Sequence, residues 1–146
     1  MDFERDPPAG HASYGKLYIE LWDCSGDTKY EKTWPAIKKD VDGIIFVYDP
    51  SQNGHDEHLN FLVNNFPKEM KILPRYCMCM VNHFNTGGAG SQLPQHTLPA
   101  SMKGLHVYEG SCEDSHGIQG SFEVYLNKLM KLLIEKQKNQ EKDLLE

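Results

Sequence analysis

Asp23 and Gly26 are the residues in this sequence whose types and spacing point most directly to chemistry. An acid, two residues and a glycine at the end of a strand suit a magnesium–phosphate site. The carboxylate holds the ion, often through water, and the glycine lets its backbone N–H approach a terminal phosphate. The strand that would position them is Tyr18-Ile19-Glu20-Leu21-Trp22, where Ile19 and Leu21 alternate with Tyr18, Glu20 and Trp22. Cys24-Ser25-Gly26 has turn composition and ends it. An ordinary strand with a tight turn accounts for the same residues, so the pattern gains meaning only from its surroundings.

Two other patterns carry the right atoms in the wrong setting. Gly10-His11-Ala12-Ser13-Tyr14-Gly15-Lys16 has the G-x-x-x-x-G-K spacing of a phosphate-binding loop, but Leu17 stands where the magnesium-binding hydroxyl belongs. The run also leads into a strand, whereas a phosphate loop follows a strand and opens a helix. It reads as a hairpin connection. His55-Asp56-Glu57-His58 offers metal ligands, but His at i and i+3 with no third ligand nearby reads as a solvated helix start. Of the cysteines at 24, 77, 79 and 112, two alternate within an apolar strand. That is the usage of small buried hydrophobes in a reducing compartment, not of a disulfide framework, and no C-x-x-C pair argues for zinc.

The elements that must position these residues follow in an α/β order. Met1-Asp2-Phe3-Glu4 reads as the tail of a strand, broken by Pro7-Pro8-Ala9-Gly10, with a loop to Gly15. After Gly26, Trp34-Pro35-Ala36-Ile37 and Val41 supply a short helix ending between Asp40 and Gly43, with Pro35 in its first turn. Ile44-Ile45-Phe46-Val47-Tyr48 is an almost continuous apolar run, as in a parallel strand covered on both faces. A helix with His58, Leu59, Leu62, Val63 and Phe66 follows, closed by Pro67. Arg75 to Asn82 is the next buried strand, then come a Gly-rich loop to Lys103 and a short strand at Leu105-His106-Val107-Tyr108. Phe122, Tyr125, Leu126, Leu129, Met130 and Leu133 form the apolar stripe of a last helix starting near Ile118. Residues 135–146 are a charged tail expected to fray or project. Asp23, Asn82 and Ser111 all fall at carboxyl ends of strands, where ligands of α/β sheets bind.

One domain is expected from 146 residues, long enough for a core without staples. The net charge of −6 is spread along the chain and gives no nucleic-acid footprint. No apolar run is long enough to span a bilayer, and the polar start and the terminal residues lead one to expect neither a signal peptide nor a common lipid anchor.

Together these positions resemble a Ras-superfamily G domain. Leu21-Trp22-Asp23-Cys24-Ser25-Gly26-Asp27-Thr28-Lys29-Tyr30-Glu31, with Trp34-Pro35-Ala36 and Asp40, is most similar to the Rab-like small GTPase subunit of intraflagellar transport complex B. The resemblance implies a Ras-like fold with a mostly parallel sheet, here truncated at its N-terminus. The first strand, phosphate loop and first helix are missing, and residues 1–15 enter within the second strand. In the full-length family the cofactors are GTP and magnesium; for this chain none is expected. By that resemblance Asp23, Gly26, Asn82, Asn85 and Ser111 are a vestigial nucleotide site, with Asp23 on the magnesium. The departures are specific. Asn82-His83-Phe84-Asn85 replaces N-K-x-D, so Asn85 turns an acceptor for guanine into a donor, a mispairing of about 1–3 kcal/mol. Ser111-Cys112-Glu113 matches S-A-K only at Ser111, and Asp27 stands where a glutamine orients the attacking water.

The resemblance therefore implies a non-catalytic subunit acting by protein–protein interaction in ciliary transport, in the cytoplasm and the cilium or flagellum. Its partners would be coiled-coil subunits of complex B, with no nucleic acid and no membrane anchor. The alternative is a fragment or isoform of a GTP-binding GTPase whose nucleotide site needs further residues. Tyr30, Trp34, Ile37 and Lys38 lie in the segment that Ras-like proteins use for partner contact. Trp34 has a second reading as plain core, the commoner use of tryptophan.

Overall fold

The computed structural model describes residues 1–52, 54–83 and 100–145. Its contacts divide the chain into two compact units, one of residues 1–41 and 126–146 and one of residues 42–125. The sequence predicted a single domain; the division falls within the long last helix, which contributes to both units.

In the first unit, β1 (Asp2–Arg5) pairs antiparallel with β2 (Leu17–Glu20), with Phe3 opposite Ile19 and Glu4 opposite Tyr18. The Gly10–Lys16 run is the connection of this hairpin, as its sequence context predicted. It holds a 3-10 turn at Ala12–Tyr14, and Gly15 at φ 65° supplies the left-handed residue before β2. Lys16 Nζ ion-pairs with Glu4 Oε2 at 3.1 Å across the hairpin. Period-two alternation gives the hairpin two faces: Phe3, Arg5, Leu17 and Ile19 are half-buried, and Asp2, Glu4, Tyr18 and Glu20 are exposed. A 3-10 turn, Thr28–Thr33, then leads into α1 (Trp34–Ile37), with Pro35 in its first turn where its missing N–H costs nothing.

The last helix, α3 (Ser115–Asp143), supplies Leu126, Leu129, Met130 and Ile134 as buried apolar residues of the first unit. Arg5 Nη2 donates to Asn127 Oδ1 at 3.4 Å, and Lys138 Nζ lies 5.6 Å from the Tyr14 ring, so the helix lies against the buried face of the hairpin. The charged segment expected to fray or project is an exposed helix through Asp143. Glu, Lys and Gln are good helix formers, and Gln137 bonds Glu141 one turn on at 3.1 Å.

The second unit is a three-stranded parallel sheet in the order β3 (Ile44–Tyr48), β4 (Cys77–Asn82), β5 (His106–Gly110). The near-continuous apolar runs predicted this, because both faces of the central strand are covered. On one face Phe46, Cys77, Cys79 and Val81 pack with Leu59 and Val63 of α2 (His55–Val63) and with Met102. A π-turn, Asn64–Lys68, carries α2 through Pro67. On the other face Met78 is fully buried beside His106, its register partner. His106 bonds Ser121 Oγ at 3.1 Å and stacks on Tyr125, whose hydroxyl donates to the Tyr76 carbonyl at 2.8 Å. These contacts seat the first part of α3 on that face. β2 and β3 belong to different sheets, and among the described residues each has a strand on one side only.

Burial sets the behaviour of the β4 thiols. It pushes Cys77 up to about 11 and Cys79 up to about 12, from 9.0. A raised folded-state pKa contributes stability that is complete below the unfolded value and is lost as pH rises through the folded one. Stability is therefore expected to hold up to about pH 9 and to fall between pH 9 and 12, more steeply than in Cys79→Val. Urea titrations at stepped pH measure this. An unchanged slope in the variant contradicts it.

Candidate functional site

The carboxyl ends of three adjacent parallel strands gather Asp49 after β3, Asn82 and His83 at the end of β4, and Glu109, Gly110 and Ser111 at the end of β5. Asn82 and Gly110 are register partners, so Asn82 and Ser111, two of the predicted site residues, are brought to the same end of neighbouring strands. Asp23 and Gly26 follow β2 and belong to the first unit. Asn85 lies outside the described residues.

Each of these side chains engages its own neighbourhood. The Ser111 hydroxyl accepts the Glu113 N–H at 3.2 Å, and Asp114 caps α3 by accepting the Gly117 N–H at 3.0 Å. Tyr108 donates to the same Asp114 carboxylate at 3.4 Å, and a Cβ on Gly117 would collide with both groups. Asp49 accepts the Ser51 N–H at 2.9 Å and the Gln52 amide at 3.3 Å; the Ser51 bonds hold its carboxyl below the usual range. Tyr48 stacks on His55 at 5.8 Å, and burial raises its phenol pKa. In the predicted metal decoy, His55 is bonded to Gln52 and Asp56, and the described residues hold no metal-ligand cluster.

His83 is the residue that sequence reasoning passed over. It is only 6% exposed, its backbone N–H donates to the Gly110 carbonyl at 2.8 Å, and its ring Nε2 meets Glu109 Oε1 at 3.0 Å. A long flexible lysine at that position could reach out of the sheet end; this imidazole is instead held inside it by a strand neighbour. The signal was its place directly after Asn82, the end of a strand whose neighbours it must then face.

In the first unit, Asp27 caps the 3-10 turn. Its carboxylate accepts the Lys29 N–H at 2.9 Å and ion-pairs with Lys29 Nζ at 3.0 Å. Asp23 is exposed; partial burial, and then the neighbouring Asp23 charge, raise the pKa of the Cys24 thiol. Of the predicted contact residues, Tyr30 is 46% exposed with Lys29 stacked 4.9 Å from its ring, and Ile37 and Lys38 are half-buried. Trp34 is 1% exposed, donates its indole N–H to the Ser25 carbonyl at 3.3 Å, and has Lys38 Nζ 5.8 Å from its ring. In this conformation Trp34 is core and out of a partner's reach.

No protein-family model matches the sequence. Curated proteins do. An "Intraflagellar transport protein 22 homolog" from Danio rerio is 29% identical over 127 residues, 87% of this chain and 67% of its own length. The one from Homo sapiens is 26% identical over 146 residues, 99% of this chain and 78% of its own length. The chain is a relative of intraflagellar transport protein 22. The protein of that name from Chlamydomonas reinhardtii is 31% identical over 75 residues, 51% of this chain and 39% of its own length. The resemblance read from the Trp22-Asp23 segment is thus supported across most of the sequence. The α/β architecture with a parallel sheet is compatible with a Ras-like fold. No helix of the described residues is long and apolar enough to cross a membrane.

Proposed function

We propose that the chain acts as a non-catalytic, small-GTPase-like subunit of intraflagellar transport complex B, through protein–protein contact with coiled-coil subunits in the cytoplasm and the cilium or flagellum. Similarity over 87% to 99% of the chain to proteins named for intraflagellar transport carries this reading. The finer fold assignment is a Ras-like G domain without its first strand, phosphate loop and first helix among these residues. A Ras-like sheet places its first strand between the equivalents of β2 and β3, and among the described residues both are edge strands of their sheets, as β1 and β5 also are.

The non-catalytic assignment rests on what the site residues do. Lys16 pairs with Glu4 in a hairpin, Asp27 caps a turn, and His83 is tied to Glu109. None of the three is placed to neutralise a γ-phosphate or to orient water. The retained Asp23, Gly26, Asn82 and Ser111 favour a second reading, a fragment of a GTP-binding GTPase. They fit magnesium and guanine by type, with Asn85 against guanine selectivity. GTP and magnesium would be held by Asp23, Asn82 and Ser111 in that reading.

Partner contact is assigned to the segment around Tyr30, Ile37 and Lys38, whose lysines at 29, 32, 38 and 39 favour an acidic partner surface. In kinetic binding to coiled-coil complex B subunits at low and high salt, Lys38→Glu is expected to slow association roughly tenfold at low salt, with a smaller effect on dissociation. A labelled GTP analogue is expected not to bind, and Asp27→Gln not to restore hydrolysis. Partner binding that is absent in the wild type counts against the reading. So does nucleotide binding with turnover, which would establish the second one.

A further inference from the structure

Two large aromatic side chains stand in the open at the β1–β2 hairpin, Tyr18 on the exposed face of β2 and Trp22 two residues past its end. Tyr18 is 79% exposed and Trp22 is 72% exposed, and neither is needed for the core of its unit. Glu20 lies between them in sequence and on the same face, and the Trp22 indole N–H donates to Glu20 Oε2 at 3.3 Å, which fixes the indole beside that carboxylate. Glu4 is the register partner of Tyr18, and Asp2 is the register partner of Glu20. Three carboxylates therefore share the exposed face with Tyr18; Glu4 is paired with the Lys16 ammonium and Asp2 lies 3.7 Å from the Met1 amine, and Glu20 is the one that meets the Trp22 indole. The opposite face of the hairpin is the one covered by α3, as the Arg5–Asn127 bond shows.

Aromatic rings attract cations over their faces, and carboxylates beside them add charge-assisted hydrogen bonds. Arginine meets both demands at once, because its planar guanidinium stacks on a ring while its fork of N–H groups engages a carboxylate. Lysine offers a point charge only. Tyr18 on β2 and Trp22, two residues past its end, are four residues apart in sequence, at most roughly 14 Å of extended chain, and each ring can take a separate side chain of one peptide. We infer that this face is a docking surface for an arginine-rich segment of a partner protein, with guanidinium groups on Tyr18 and Trp22 and their N–H groups on Glu20 and its carboxylate neighbours. This surface is separate from the lysine-bearing segment assigned above to an acidic partner, and it stands whether or not that assignment holds.

The test uses the whole chain and two probes, an oligo-arginine peptide and an oligo-lysine peptide of equal length. Intrinsic tryptophan fluorescence is read on the wild type and binding by calorimetry on all variants. The arginine peptide is expected to change the Trp22 emission and to bind about threefold to tenfold more tightly than the lysine peptide. Tyr18→Ala and Trp22→Ala are each expected to weaken arginine-peptide binding about twofold to fivefold, and Glu20→Lys by more than either. Lys38→Glu, on the other segment, is expected not to weaken it. Equal binding of both peptides, or wild-type affinity in Trp22→Ala and Glu20→Lys, overturns the proposal, because attraction is then only diffuse charge. Self-association of the chain that Trp22→Ala abolishes also overturns it, since the occupant is then a second copy. Tyr18 and Trp22 are surface residues, so folding of the variants is checked by circular dichroism, and Glu20→Gln provides a variant with no change in shape.

Discussion

Trp34→Ala is expected to destabilise the chain by about 3–5 kcal/mol, the range for removing a large buried aromatic side chain. Trp34 is among the largest fully buried side chains. Its loss removes the contacts that fix α1, a helix of four residues with no capping side chain of its own. It also leaves the Ser25 carbonyl without the indole donor that lies 3.3 Å away. For a chain of this length the loss corresponds to a drop in Tm on the order of 10 °C. Trp34→Phe retains a ring and loses the donor, and is expected to recover more than half of the loss. Thermal and urea unfolding followed by near-ultraviolet circular dichroism measure both variants. Had Trp34 been a partner anchor, the alanine variant would melt like the wild type and fail only in binding; that result would return the residue to the surface.

Trp34 also shows where sequence reading succeeds and where it stops. The elements were legible because their patterns are strong. The apolar runs of Ile44–Tyr48 and Cys77–Asn82 read as parallel strands buried on both faces; both are parallel strands and the second is buried, whereas the first, at the sheet edge, fully buries only Phe46 and leaves Val47 65% exposed. The hairpin was legible in the context of Gly10–Lys16, since a phosphate loop needs a helix after it and Leu17 begins a strand. The stripe of Tyr125, Leu126, Leu129 and Met130 was legible from its spacing. The fate of single polar side chains was not. Asp27 and Ser111 hold positions that in a nucleotide site would face a ligand, yet they bond the backbone two residues on, which is the local alternative open to any Asp or Ser at a turn. His83 was invisible because its partner, Glu109, comes from another strand. Whether an aromatic is core or contact was equally hidden. Trp22 and Trp34 flank one short segment, and the exposed one is Trp22, two residues past the end of β2.

Alternation along β3 yields a paired result of similar size. Phe46 and Val47 are neighbours in sequence and opposites in the sheet: Phe46 is 5% exposed and Val47 is 65% exposed. Phe46 packs with Leu59, Val63, Cys79 and Met102, and it also lines an apolar cavity of about 90 Å³ with Pro67, Ile72, Cys77 and Leu105. Phe46→Ala is therefore expected to cost about 3–5 kcal/mol and to sit at the upper end of that range. Truncation enlarges a void that is already present and leaves its lining without partner atoms on that side. Val47→Thr keeps the β-branched shape that a strand favours and exchanges an exposed methyl for a hydroxyl, so its effect is expected within about 0.5 kcal/mol. Urea unfolding of the two variants gives the comparison directly. A large loss in Val47→Thr would mean that this face of β3 is covered in solution. A small loss in Phe46→Ala would mean that the void refills, which requires α2 to move toward the sheet.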